Sequence, residues 1–187
     1  MEIRENFLPE YCYSSKDRDS TDLIVIHHIS GINKFKRPDG AVDMEKAYNL
    51  DECREILHEI CEPDENGVRD GYASAHFMIG RVGNIIQLVP IEKKAWHAGV
   101  SRWGLRDNCN KFSLGVELVG SYLDDYTPEQ YASLKDLLAY LMVEYRLGFH
   151  QITGHRNIAP GRKFDPNKSF DWDDMEQALG YINKDMS

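Results

Sequence analysis

The chain has 187 residues, 42% of them hydrophobic and 28% charged, with a formal net charge of −9 at pH 7. This length can bury one substantial core and predicts a single domain over residues 1–187, while the acidic balance argues against nucleic acid as a partner. No apolar stretch approaches the ~20 residues that span a bilayer, and the start lacks the basic-then-apolar order of a signal peptide, so we expect a cytoplasmic protein that does not bind membranes.

Short apolar runs predict five strands. Residues 23–28 are nearly all apolar and rich in isoleucine and valine, which is typical of a central strand buried on both faces. Residues 75–79 and 85–90 flank a turn sequence, RVGN, that tolerates positive φ, so they predict a hairpin. Two further strands are predicted at 114–119 and 151–153. The pattern is that of a mixed strand and helix protein.

A first helix is predicted from Asn49 or Asp51 to about Glu62, because its apolar positions follow helical spacing behind a residue that can cap. Cys53 and Cys61 fall on the apolar side of this helix, and no CxxC pair occurs among the four cysteines. We therefore predict buried thiols, since a chain without a signal peptide is expected in a reducing compartment.

The clearest helix start is TPEQ, where Thr127 caps, Pro128 occupies the first turn and Gln130 completes a capping box. Apolar residues then repeat on one face as far as residue 145. A last short helix is predicted after residues 171–173, carrying Met175, Leu179 and Ile182. Residues 31–43 and 63–72 contain Gly, Pro, Asp and Asn without periodicity and predict loops.

Two distant segments carry the side chains of a metal-dependent hydrolase. His27 follows the apolar run, and the words GHRNIAPGRKFDP place His155, Lys163 and Asp165 within thirteen residues. Two imidazoles and one carboxylate are a zinc-hydrolase ligand set that leaves one position open for water. No HExxH-type pair fixes two ligands on one helix, so from spacing alone a metal site and ordinary hydrogen-bonded histidines both remain open. For His58 and His150 we favour the ordinary interpretation.

Five ordered motifs then point to a family. The words IVIHHIS, SAHFMIGRVGNIIQLVP, AWHAGVS, RDNCNKFSLGVELVG and TGHRNIAPGRKFDP resemble the zinc-dependent type 2 N-acetylmuramoyl-L-alanine amidases over residues 23–172. That family includes phage amidases, peptidoglycan-recognition proteins and cytoplasmic AmpD-type enzymes that cleave 1,6-anhydromuropeptides, and the AmpD type is the most similar. The resemblance implies an α/β fold with a central, mixed, mostly parallel β-sheet flanked by helices.

Roles for individual residues also come from the resemblance. It implies His27, His155 and Asp165 as ligands of Zn²⁺, with Asp165 standing where some other branches have cysteine. It implies Glu117 as the catalytic acid/base and Lys163 as the residue that stabilises the oxyanion. Ala75 occupies the place of a catalytic tyrosine in the phage and recognition branches, and the AmpD type shares this departure.

Candidate substrate contacts are less sharply indicated. His97 fits a pocket residue or a support for a ligand, because a fourth protein ligand would close the site. Trp96 and Trp103 are candidate sugar-stacking faces, with core packing as the open alternative. His28 is expected to line the pocket, and Arg106 with Asn108 to bind a peptide carboxylate or sugar hydroxyls. We expect His76 to be buried and hydrogen-bonded.

The favoured function is hydrolysis of the amide between N-acetylmuramic acid, in its 1,6-anhydro form, and L-alanine of soluble muropeptides. An endolysin that acts on intact peptidoglycan after release by a holin is the alternative, because residues 31–72 do not follow the AmpD type closely. A non-catalytic recognition module is a third possibility, which the complete ligand set disfavours. A muropeptide or peptidoglycan is thus the expected partner, and a monomer is the expected state.

Overall fold

A six-stranded sheet organises the protein, whose computed structural model describes residues 1–183. Across the sheet, the strands are β1 (Ile3–Glu5), β5 (Ile85–Gln87), β4 (Phe77–Ile79), β9 (Ser113–Val119), β3 (Leu23–Ile29) and β10 (Ile152–Gly154). The β4–β5 hairpin is antiparallel, and the other four pairings are parallel. The mixed, mostly parallel sheet is therefore confirmed, as are all five strands predicted from the apolar runs.

Strands outside those runs were not predicted. They comprise β1 and two small antiparallel pairs, formed by β2 (Tyr13–Asp17) with β6 (Lys93–Ala95) and by β7 (Arg102–Trp103) with β8 (Arg106–Asp107). These strands are two to five residues long and mostly polar, with little of their surface buried. β1 and β2 pair with strands that are distant in sequence, and β7 and β8 are only two residues long, so no local periodicity marks any of them.

Within the described residues, five α-helices accompany the sheet: α1 (Met44–Ala47), α2 (Leu50–Cys61), α3 (Pro128–Tyr145), α4 (His155–Ile158) and α5 (Trp172–Leu179). Three short 3-10 helices lie at Glu10–Cys12, Cys109–Lys111 and Phe149–Gln151. Asn49 caps α2, and Thr127 with Gln130 forms the expected capping box on α3. The four-residue helices α1 and α4 were not predicted, and α5 ends before Ile182. Within residues 1–183, no helix combines the length and the hydrophobicity that crossing a bilayer requires.

Apolar side chains bury both faces of the central strands. Ile24 and Ile26 of β3 point into the cluster that contains α3 and α5, whereas Leu23 and Val25 point to the opposite face. On that opposite face, α2 packs through a second cluster that includes Cys53 and Cys61. The predicted loops are confirmed apart from one isolated bridge within 31–43. All four cysteines are buried and free, as expected.

Candidate metal centre

The carboxyl ends of three adjacent parallel strands bring the first site residues together. In the register of the sheet, His27 of β3 lies beside Glu117 of β9, so the two side chains point to the same face. On the other side of β3, Gly154 pairs with Ile26, and His155 follows at once as the first residue of α4. Ligand sites of α/β sheets form at this end of the strands.

Three donor atoms converge there, from His27, His155 and Asp165. The Nδ1 atoms of the two histidines are 3.0 Å apart, and Asp165 Oδ2 lies 2.9 Å from the first and 3.1 Å from the second. A backbone hydrogen bond from Arg156 N to Asp165 O, 2.8 Å long, holds the returning chain in place. Zinc bonds of about 2.0–2.1 Å would place tetrahedral ligands roughly 3.3–3.4 Å apart, so the triangle approximates one face of such a sphere.

The chemistry of these donors also fits a cation. His155 Nε2 donates to Ala98 O over 3.0 Å, and His27 Nε2 is 3.0 Å from His97 Nδ1, so each ring has a second partner away from the triangle. Burial lowers the pKa of His27 to about 4, which keeps that ring neutral near pH 7. With Nε2 engaged elsewhere, the two Nδ1 atoms face Asp165 Oδ2, and a metal ion would be held by these three atoms while the outer partners orient the rings.

Glu117 and Lys163 line the same cleft of about 370 Å³. Within the described residues, Glu117 Oε2 is buried without a hydrogen-bond partner. Burial raises the pKa of Glu117 to about 8, and the charge of Asp165 adds to this while that of Lys163 opposes it. A carboxyl group that titrates near neutral pH can both accept and return a proton, which is the requirement for acid–base catalysis.

Three of the six candidate substrate contacts lie in this cleft: His28, Trp96 and His97. Trp96 meets Tyr72 edge to face with 5.9 Å between ring centroids, and Lys94 Nζ lies 4.9 Å from the Trp96 centroid. The indole therefore forms part of the wall of the cleft and already contacts Tyr72 and Lys94. Trp103, by contrast, packs against the third core cluster, which favours its alternative of core packing.

Arg106 and Asn108 lie elsewhere. Arg106 Nη1 is 2.6 Å from Asp22 Oδ2, and its guanidinium lies 3.8 Å from the Phe112 ring centroid. Asn108 is exposed and has a φ of 62°. Both precede β9, so they lie toward its amino end, whereas Glu117 lies near its carboxyl end. The structure does not bring them into the lining of the cleft, and their contacts with substrate stay predictions.

Among the described residues, the other histidines have ordinary hydrogen-bond partners or none. His76 is fully buried, accepts a hydrogen bond from Gly115 N at Nδ1 and donates from Nε2 to Lys93 O, both over 3.0 Å. This confirms the expected buried, hydrogen-bonded side chain. His58 Nδ1 is 2.7 Å from Glu55 Oε1, and His150 is exposed, so both agree with the ordinary interpretation.

Residues that the sequence did not single out complete the surroundings of the triangle. Arg162 Nη2 donates to the carbonyl oxygens of Ala98 and Val100 over 2.7 and 2.6 Å. Asn110 Oδ1 accepts the backbone N–H groups of His97 and Ala98 over 3.1 and 2.8 Å. Arg162 lies inside a quoted motif, but its backbone partners are some sixty residues away, so sequence spacing could not reveal them.

Comparison with protein families gives a match over residues 17–168 to the family described as N-acetylmuramoyl-L-alanine amidase. A curated relative from Citrobacter freundii, named 1,6-anhydro-N-acetylmuramyl-L-alanine amidase AmpD, is 47% identical over 106 residues. That alignment covers 57% of this chain and 57% of the relative. The matched part thus spans little more than half the length of the relative.

Solved structures match over more of the chain. A crystal structure of a selenomethionine derivative of AmpD superposes with a TM-score of 0.70 at 33% identity, covering 95% of this chain and 94% of the other. AmpDh3 from Pseudomonas aeruginosa, solved in complex with anhydromuramic pentapeptide, gives a TM-score of 0.63 at 25% identity and covers 91% and 64% of the two chains. The likeness therefore includes strands and helices outside the shorter sequence alignment.

Proposed function

Because this chain belongs to the N-acetylmuramoyl-L-alanine amidase family, we propose that it is a zinc-dependent hydrolase of muropeptides. The bond cleaved is the amide between N-acetylmuramic acid, in its 1,6-anhydro form, and L-alanine. One observation carries the proposal: two imidazole nitrogens and a carboxylate oxygen converge within 3.1 Å of one another in the cleft that Glu117 and Lys163 line.

His27, His155 and Asp165 would hold the metal. Zn²⁺ bound there would polarise the scissile carbonyl and lower the pKa of a bound water to about 7. Glu117 would take the proton of the attacking water and deliver it to the leaving nitrogen of alanine. Its buried Oε2, which has no protein partner among the described residues, is the atom available for this transfer. Lys163 would place its ammonium beside the negative oxygen that forms on the attacked carbonyl.

Names of relatives guide the choice of substrate. The curated relative is named as an amidase of 1,6-anhydro-N-acetylmuramyl-L-alanine, and AmpDh3 was solved with an anhydromuramic pentapeptide. Similarity at 47% identity to an enzyme named for anhydro substrates favours soluble muropeptides, and hence a cytoplasmic recycling role, over intact peptidoglycan. The partner is then a small glycopeptide, and the chain would act as a monomer.

A two-substrate assay tests this choice. The zinc-loaded protein should release L-alanine peptides from soluble anhydromuropeptides and clear intact sacculi slowly, with the metal-free protein as the background control. Rapid clearing of sacculi with little soluble turnover would assign the protein to the endolysin class instead. No turnover of either substrate by the zinc-loaded protein would refute the amidase proposal itself.

Lys163→Met should reduce kcat by about 10²–10³, the usual loss when one donor to an oxyanion is removed, and leave the zinc content unchanged. Methionine retains most of the aliphatic length, so packing changes little. Lys168→Met is the matched control, because Lys168 is exposed and does not line the cleft. Steady-state kinetics on both variants decide the matter, and equal rates for the two would remove Lys163 from the reaction.

A further inference from the structure

A chain of buried hydrogen bonds runs from the metal triangle into the protein through His97. His27 Nε2 is 3.0 Å from His97 Nδ1, and His97 Nε2 is 3.1 Å from Ser113 Oγ. Ser113 Oγ in turn donates to Cys109 O over 2.6 Å. His27, His97 and Ser113 are at most 8% exposed, so water cannot replace these partners.

The hydrogen bond from Ser113 to Cys109 O determines the donor and acceptor in each of the other hydrogen bonds of this series. A carbonyl oxygen can only accept a hydrogen bond, so the Ser113 hydroxyl must donate its single proton to Cys109 O. Ser113 Oγ is then an acceptor, and His97 Nε2 must donate to it. A neutral His97 has no proton left for Nδ1, which accepts from His27 Nε2. His27 Nδ1 is thereby left as an unprotonated lone pair inside the triangle.

The same segment serves the second imidazole. Asn110 Oδ1 accepts both His97 N and Ala98 N, and Ala98 O is the acceptor for His155 Nε2. Close packing holds the His97 ring as well, because a Cβ added at Gly115 would come within 2.5 Å of His97 Cγ. The backbone of His97 and Ala98 is therefore held by Asn110, and the His97 ring is held by close packing against Gly115 of β9.

We propose that Ser113 and Asn110 are positioning residues that set the tautomers of both metal-facing imidazoles through His97 and Ala98. The proposal deepens the proposed function and rests on zinc binding by His27 and His155. Only the Nε2–H tautomer leaves Nδ1 free for a metal, and selecting it in advance removes the cost of proton rearrangement on binding. Loss of the Ser113 hydroxyl would free His97 to carry its proton on Nδ1, which would face His27 with a donor instead of an acceptor.

Nitrogen-15 NMR of the histidine rings in the zinc-loaded, full-length protein tests which nitrogen of His97 donates and which accepts. His97 should carry its proton on Nε2, and a coupling across the hydrogen bond should link its Nδ1 to His27 Nε2. A proton on His97 Nδ1 would overturn the proposal. The same spectra can be recorded for the metal-free protein, so the His97 tautomer can be determined even if the protein does not bind zinc.

Ser113→Ala should weaken zinc binding, measured by chelator competition, by about 10–100-fold, the usual cost of losing an outer partner of a metal ligand. Ser121→Ala is the matched control. Ser121 is also buried and hydrogen-bonded, but its partner is Asp124 rather than His97. Equal zinc affinity in the Ser113 and Ser121 variants would overturn the proposal. If Ser113→Ala does not fold, the His97 tautomer of the unaltered protein decides alone.

Discussion

Exchange of Glu117 for glutamine should lower kcat by about 10²–10⁴ and leave bound zinc in place. Glutamine preserves the shape of the side chain but cannot accept the proton of the attacking water. Glu117 is not part of the donor triangle, so metal content should stay at one zinc per chain. Steady-state kinetics combined with metal analysis of the same sample measure both quantities. Near-normal turnover would show that another group performs the proton transfer.

The same variant also tests the electrostatics of the site. The folded, metal-free protein raises the pKa of Glu117 from 4.5 to about 8, so between these values it holds a proton that the unfolded chain releases. The contribution of Glu117 to the free energy of unfolding then falls as pH rises through this window. In the Glu117→Gln variant this contribution is absent, so its stability relative to the unaltered protein should increase from pH 4.5 to 8. Glu129→Gln, at an exposed position of α3, is the control.

How much of the site could be predicted follows from where each signal lies in the chain. His27 was identified because an apolar strand that ends in histidines places an imidazole where it needs a partner. Glu117 was identified through the resemblance to the amidase family, and its apolar neighbours in GVELVG agree with a buried carboxylate that has a role. The parallel β3–β9 register then converts two separate strand patterns into adjacent side chains. The local pattern therefore points to His27, which ends a strongly apolar strand, whereas the role of Glu117 required the family motif.

Arg106 and Asn108 show the limit of that reasoning. They are close to Glu117 in sequence, but β9 rises about 3.3 Å per residue, so residues before Ser113 lie more than ~13 Å from Glu117 along the strand. Proximity in sequence therefore places them toward the opposite end of the sheet. Side chains at opposite ends of one extended strand cannot line the same small site unless a later segment folds back to the first end.

Asn110 and Ser113 show a different limit. Neither has a sequence pattern that distinguishes it from an ordinary polar residue beside a strand. Their contacts with His97 and Cys109 become meaningful only when the chain from 95 to 100 crosses over β9 above Gly115. This crossing depends on tertiary packing, for which the single sequence contains no periodic signal. The strands β1 and β2 escaped prediction for a related reason, since their pairing partners are distant.

Asp165→Ala should abolish zinc binding and activity together. Removal of one donor from the triangle leaves two neutral imidazoles without the negative charge that balances the cation. Zinc affinity should fall by more than the loss of about 10–100-fold that is expected when an outer hydrogen-bond partner of a ligand is removed. Zinc should also stop protecting the variant against heat, whereas it stabilises the unaltered protein by roughly 4 kcal/mol at a thousand times its Kd.

Asp165→Cys separates a ligand role from a structural one. A thiolate is a good zinc ligand, so this variant should bind zinc far more tightly than Asp165→Ala and should regain the zinc-dependent rise in Tm. The backbone contact from Arg156 N to residue 165 O does not involve the side chain and is available in both variants. Calorimetry with and without zinc compares them directly. Stoichiometric, tight zinc binding by Asp165→Ala would contradict the coordination assignment, and with it the proposed hydrolase chemistry.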